Sequence, residues 1–223
     1  MSKIKAIGSG RSKLAVLLIA VGLVLALVAV MMLVDQHKTK PKPPPGALTS
    51  KSAPSSVKPK PQAVASYSVP ATDPKYITIS AIGVSRTPIL KLGLTASGAI
   101  AVPDNIYYTG WYDGSVKPGQ NGAMFIYGHV SSWTADGVFY NLKKLIAGDK
   151  ITITRGDNTI YTYQVVSSKV YPYNNVPMNT VLVPVRSNTP GLNLMTCTGK
   201  VIAGTSEFNE RLVVYTSLVA SSS

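Results

Sequence analysis

Cys197 is the only cysteine of the chain, and it ends an apolar run formed by Leu192, Leu194 and Met195. Fourteen positions later Arg211 opens a second apolar run. Two β-strands joined by a loop would set the thiol and the guanidinium side by side. His129, in the segment MFIYGHVSSW, is the third group of interest, because the only other histidine, His37, lies in a Pro/Lys-rich stretch of unfolded composition. A thiol with an ordinary pKa of about 8.5 is only slightly ionised at neutral pH, so a nucleophilic role requires help. An imidazole can carry the proton traffic, and a guanidinium supplies a fixed cationic fork of donors while being a poor general base. Each residue also has a plain structural reading: a small buried hydrophobe for the cysteine, a hydrogen-bonded imidazole for the histidine, a solvated strand-end charge for the arginine.

Other chemistries find little support. One Cys, one His in the folded part and scattered carboxylates make no recognisable metal-ligand spacing. Gly8-Ser9-Gly10 precedes a long apolar segment, where it cannot serve a nucleotide-binding strand-turn-helix unit. A single cysteine forms no internal disulfide. The net charge of +13 divides into +9 for residues 1–62 and +4 for the remainder. Nucleic-acid binding calls instead for basic residues clustered on a folded surface with stacking aromatics.

The elements that must position the three residues are short and β-patterned. Residues 76–82 alternate as a strand with one buried face; 87–92 and 99–102 are further strands. Residues 105–121, aromatic and Gly-rich, read as loop, and 122–130 as a largely apolar strand with His129 at its exit. Val138, Leu142 and Leu145 have the spacing of a short helical turn. A hairpin runs from Lys150 to Val170 through Gly156-Asp157-Asn158, and a long Pro/Asn-rich connection, 171–190, leads to strands at 192–197 and 211–218. About eight strands without a long helix indicate an all-β sandwich or closed barrel.

Ahead of this domain, residues 1–13 are basic and residues 14–34 form an uncharged apolar run, long enough for a helix to cross a hydrocarbon core of roughly 30 Å. A cleaved signal peptide would have a shorter apolar region, so an uncleaved transmembrane signal-anchor is expected. Lys3, Lys5, Arg11 and Lys13 precede it and Lys38, Lys40 and Lys42 follow, so charge alone hardly sets orientation. Residues 35–70, rich in Pro, Lys and Ser, read as a disordered spacer. The catalytic domain is expected at 71–219, with a tail at 220–223.

Gly110-Trp111-Tyr112, Gly128-His129-Val130, Leu194-Met195-Thr196-Cys197 and Arg211-Leu212-Val213-Val214, in this order, resemble the sortases, bacterial cysteine transpeptidases. The family usually writes Thr-Leu-x-Thr-Cys before the thiol, and this chain has Asn193 in place of the first Thr; the subclass looks D-, E- or F-like. The resemblance implies an eight-stranded closed β-barrel. It also implies a reaction: Cys197 as the nucleophile that forms a thioacyl-enzyme, His129 as general acid/base, Arg211 as oxyanion or substrate stabiliser, and Thr196 in substrate binding. The substrates implied are proteins with a C-terminal LPxTG-like sorting signal cleaved at Thr-Gly. The acceptor implied is an amine of a cell-wall precursor or a pilin lysine. The domain would lie outside the bacterial cell membrane with the N-terminus cytoplasmic, and no cofactor, metal or nucleic acid is expected. Two rivals are an anchored non-enzymatic β-domain that binds cell wall or a partner protein, and an L,D-transpeptidase. The latter family places Ser-x-Gly-Cys around its nucleophile, where this chain has Met195-Thr196-Cys197.

Overall fold

The computed structural model describes residues 48–49 and 54–222. The basic segment, the apolar run at 14–34 and the first part of the spacer lie outside the described residues. Among the described residues no helix is long and apolar enough to cross a membrane.

Eight strands close a barrel: β1 (Pro74–Ile79), β2 (Val84–Leu92), β3 (Thr109–Tyr112), β4 (Ala123–Gly128), β5 (Lys150–Arg155), β6 (Ile160–Pro172), β7 (Gly191–Val201) and β8 (Phe208–Ser222). Around the barrel the order is β8-β6-β5-β1-β2-β3-β4-β7, and β7 returns to β8. Six of the eight seams are antiparallel; β2 with β3 and β4 with β7 run parallel. Closure leaves no free barrel edge, which suits strands as long as β6 and β8.

Side chains alternate across each strand. Met124, Ile126, Leu192, Leu194, Leu212 and Val214 point into one buried cluster with Ile77, Ile151, Ile153 and Tyr163, which fills the barrel. The residues between them, Phe125, Tyr127, Met195, Val213 and Tyr215, form a second buried cluster on the opposite face of β4, β7 and β8. Val176 and Val181, from the connection after β6, and Ile100 cover that second cluster. The connection contains one short helix, α2 (Met178–Val181), and another, α1 (Pro61–Ala65), precedes the barrel.

The β5–β6 hairpin forms as its turn chemistry predicts. Asn158 adopts φ +68°, Asp157 Oδ1 accepts from the Thr159 N–H at 3.1 Å, and Arg155 N–H donates to Thr159 O at 2.8 Å. The helical turn expected around Leu142 is a single 3₁₀ turn, Leu142–Lys144, whose Leu142 enters the barrel core.

Two assignments differ from the sequence reading. Thr109–Tyr112, read as loop, is a barrel strand, and Ile100–Ala101, read as one of the eight, stands outside the barrel and pairs in parallel with Leu48–Thr49. Thr109-Gly-Trp-Tyr shows no alternation because its first three residues are all buried. Gly110 is required there: a Cβ would come within 2.7 Å of the Tyr127 ring and 2.9 Å of Leu92. The Pro/Lys/Ser-rich stretch also differs from a plain spacer in its last third. The Tyr76 hydroxyl donates to Val64 O at 2.6 Å and the Tyr67 hydroxyl to Ile89 O at 2.6 Å, which seats residues around α1 on the barrel.

Candidate active site

β7 and β8 pair in a register that places Cys197 directly opposite Arg211, Met195 opposite Val213 and Asn193 opposite Tyr215. Directly opposed residues of an antiparallel pair share a face with Cβ atoms about 5 Å apart, so thiol and guanidinium rise from the same side of the sheet. On the other flank of β7, the parallel β4 aligns Tyr127 with Met195. The Thr196 hydroxyl donates to Gly128 O at 2.8 Å and carries this alignment one residue further. One residue past the end of β4 the chain reaches His129, which the same register, extended by two residues from Tyr127, sets level with Cys197. Cys197 and Arg211 lie on the outer face of the barrel wall, beyond the buried apolar floor of Tyr127, Met195 and Val213.

Arg211 is 0 % exposed, which rules out a solvated strand-end charge. One terminal nitrogen donates to Phe208 O at 2.9 Å and Glu210 O at 3.0 Å; the other meets Glu207 Oε2 at 2.8 Å. The Tyr173 ring lies 5.8 Å from the guanidinium carbon, within cation–π range. The Arg211 Nε–H is buried with no partner. An orphaned donor on a buried cation is costly, and Nε is the guanidinium nitrogen that the protein leaves without a partner.

His129 Nε2 lies 2.8 Å from Pro103 O. A carbonyl can only accept, so Nε2 carries the hydrogen in the neutral and the cationic imidazole alike, and Nδ1 is the nitrogen that gains and loses a proton. Burial pushes the His129 pKa below its usual value; the bond to Pro103 and the charge of Asp104 oppose that shift. Burial likewise pushes the Cys197 thiol up, with the Arg211 cation opposing and Glu207 adding to the rise. Both shifts favour the neutral forms. The resting forms are therefore a thiol and a neutral imidazole.

Thr196 does not present its side chain to substrate. It is 2 % exposed and its hydroxyl is committed to Gly128 O, so it locks β4 to β7 beneath the site. The reason is alternation: next to an outward Cys197, Thr196 must point inward. Asn193 faces the outer side two pairs below Cys197. Its Nδ2 donates to Val181 O at 2.6 Å and Val183 O at 3.1 Å, tying the connection after β6 onto the apolar floor. Three contributors were invisible to sequence reasoning: Pro103, Glu207 and the structural use of Asn193. For Asn193 the signal was a polar residue in an otherwise buried run; for the other two there was none. None of Cys197, His129 and Arg211 lines the cavity of about 600 Å³ bounded by Lys58, Val64, Arg86, Tyr108 and Tyr140.

A family model described as the sortase domain matches residues 77–219. No curated protein matches the chain. Among solved structures, a Clostridium perfringens sortase D5 transpeptidase matches at 24% identity, covering 66% of this chain and 79% of that one, with a TM-score of 0.49. Sortase C of Streptococcus pneumoniae, whose structure is described in connection with pilin substrate specificity, matches at 23% identity over 66% of this chain and 69% of its own, TM-score 0.51. A pilus-related sortase C of Group B Streptococcus matches at 24% over 67% and 69%, TM-score 0.50. At these identities the two streptococcal structures speak for the barrel and nothing finer.

Proposed function

The chain belongs to the sortase family of cysteine transpeptidases, and from that premise we propose that it cleaves an LPxTG-like sorting signal at the Thr-Gly bond and transfers the acyl group to an amine. The acceptor is an amine of a cell-wall precursor or of a pilin. The catalytic domain is held outside the cell membrane by the apolar segment at 14–34, with the N-terminus in the cytoplasm. The observation that carries this reading is the strand register that sets Cys197 opposite Arg211, with His129 following directly on the neighbouring parallel strand.

The reaction follows from what each group can do. The Cys197 thiolate attacks the carbonyl carbon of the Thr-Gly bond, and as the C–S bond forms the carbonyl oxygen takes up negative charge. The buried Arg211 Nε–H, with no internal partner, meets that oxygen. Collapse of the tetrahedral intermediate breaks the C–N bond, and the departing glycine amine takes the proton held at His129 Nδ1. An acceptor amine, deprotonated by the same imidazole, then attacks the thioester and releases the thiolate. The extended peptide reaches the half-buried Cys197 from the outer side of the sheet, beside the connection that Asn193 tethers. Glu207 and the carbonyls of Phe208 and Glu210 aim the guanidinium by occupying its other nitrogens.

The test is to incubate the full chain in detergent with a sorting-peptide library and candidate amines, and to follow products and the mass of Cys197 peptides. A thioacyl adduct on Cys197 and an amine-exchanged product are expected. Absence of any cleavage or adduct, with Cys197 resisting alkylation until the protein unfolds, would replace this reading with a non-enzymatic binding domain.

A further inference from the structure

The segment from Ile100 to Ile106 belongs to no barrel strand, yet it carries the carbonyl that holds the catalytic imidazole. Its own conformation is secured from two sides. From the barrel, the Tyr127 hydroxyl donates to Ala101 O. From the N-terminal side, an extended strap crosses it: the Ser55 N–H donates to Asp104 O at 2.6 Å, and the Ile106 N–H donates back to Ser55 O at 3.0 Å. Together they make a parallel bridge between Ser55 and Asn105. The Asn105 side chain closes the clasp, its Nδ2 donating to Val57 O at 2.9 Å while its Oδ1 accepts from the Tyr107 N–H at 2.9 Å. Further upstream, Leu48–Thr49 pairs in parallel with Ile100–Ala101.

Pro103 sits between these ties, buried, and its carbonyl shares one rigid peptide plane with the Asp104 nitrogen. Its carbonyl is therefore aimed by its neighbours, above all by Asp104, whose own carbonyl the strap holds. We propose that Ser55, through its backbone, and Asn105, through its amide, are positioning residues: they hold Pro103 O against His129 Nε2 and so keep Nδ1 as the nitrogen offered to the thiol and the leaving amine. This rests on the reading of His129 as the general acid. The residues that the sequence presents as spacer thus become part of the catalytic apparatus from Ser55 onward.

The bond to Pro103 O favours the imidazolium, because an N–H donor is strengthened by positive charge on its ring. The other charged or titratable groups about His129 are Asp104 on the same segment, Cys197 on β7 and Asp136 in the loop that folds back over the His129 backbone. The substitutions below alter none of them.

Ser55→Pro removes the donor to Asp104 O, and Asn105→Ala removes the link to Val57; Lys58→Ala, on an exposed side chain just downstream, is the control. Full-length chains in detergent, ¹⁵N-labelled at histidine and carrying His37→Asn so that one imidazole remains, are titrated by NMR. In both clasp variants the His129 midpoint should fall and the share of the Nε2–H tautomer should drop, while Lys58→Ala matches the parent. With a cleavable sorting peptide, kcat should fall about tenfold or more with KM changed less than about twofold, and the acid limb of the rate profile should move with the NMR midpoint. Parental midpoint and tautomer in both clasp variants would overturn the inference whatever the activity. Shifted NMR behaviour in a protein that cleaves no sorting peptide would uphold the clasp and sink the proposed reaction instead.

Discussion

Replacing Arg211 tests whether a buried cation stabilises the reaction or only the fold, and the structure separates the two. The guanidinium makes three bonds to the protein and leaves Nε–H buried and unpartnered. An orphaned buried donor costs about 1–3 kcal/mol, and in the proposed reaction that penalty is relieved when the developing oxyanion accepts it. The relief is felt mainly in the transition state, so its loss lowers kcat by about 10²-fold, roughly 2.7 kcal/mol. Arg211→Ala also strips a buried partner from two carbonyls; Glu207, whose side chain is 42 % exposed, returns to water at little cost. The alanine variant should therefore unfold at lower temperature as well as react slowly, which makes Arg211→Lys the cleaner comparison. Lysine keeps the charge and can reach Glu207 but has no Nε–H fork, so it should restore much of the stability and little of the rate. The assay is steady-state peptide cleavage and transfer, giving kcat and KM, beside thermal unfolding of each variant. A lysine variant with near-parental kcat, or an alanine variant that loses stability but turns over normally, would refute the oxyanion role.

The rate should follow a bell-shaped pH profile in which the imidazole sets the acid limb and the thiol the alkaline limb, since burial lowers the first pKa and raises the second. Below the imidazole midpoint the pair holds one proton too many, and above the thiol midpoint one too few. Thiolate absorbance in the ultraviolet, absent from Cys197→Ala, should rise only through the alkaline limb; a rise through the acid limb would reverse the assignment. Asn193→Ala should loosen the connection over the floor and raise the KM for peptide more than it lowers kcat. Its stability loss should stay near 1 kcal/mol, because the unpartnered Oδ1 is deleted along with the two Nδ2 bonds. A parental KM would mean the connection does not shape the groove. A chain cut to start at Pro54 should keep fold and activity, whereas a start at residue 68 loses the Ser55 clasp and the carbonyl that receives the buried Tyr76 hydroxyl, lowering both stability and kcat. Equal unfolding curves and rates for the two would show that the strap is dispensable.

The apolar runs that Cys197 closes and Arg211 opens are local properties, and they marked two strands that would bring thiol and guanidinium together; the strands themselves run on, to Val201 after Cys197 and from Phe208 before Arg211. The uniqueness of Cys197, and of His129 outside the Pro/Lys-rich stretch, narrowed the chemistry before any contact was known. The hairpin at Gly156-Asp157-Asn158 was equally legible, since its turn is made by adjacent residues. What the chain could not announce depends on partners far along it. Thr109–Tyr112 becomes a strand only because β2 and β4 accept it on either side, and Ile100–Ala101 leaves the barrel to meet a segment about fifty residues upstream. Arg211 reads as a surface charge until the turn before β8 folds Glu207 and the Phe208 carbonyl over it. The imidazole's tautomer is set by Pro103, a residue with no sequence mark of function. Periodicity and turn chemistry act between neighbours and survive in the sequence; burial of a charge and the aim of a carbonyl arise only when closure of the barrel brings distant backbone together, and that is where the tertiary structure decided the site.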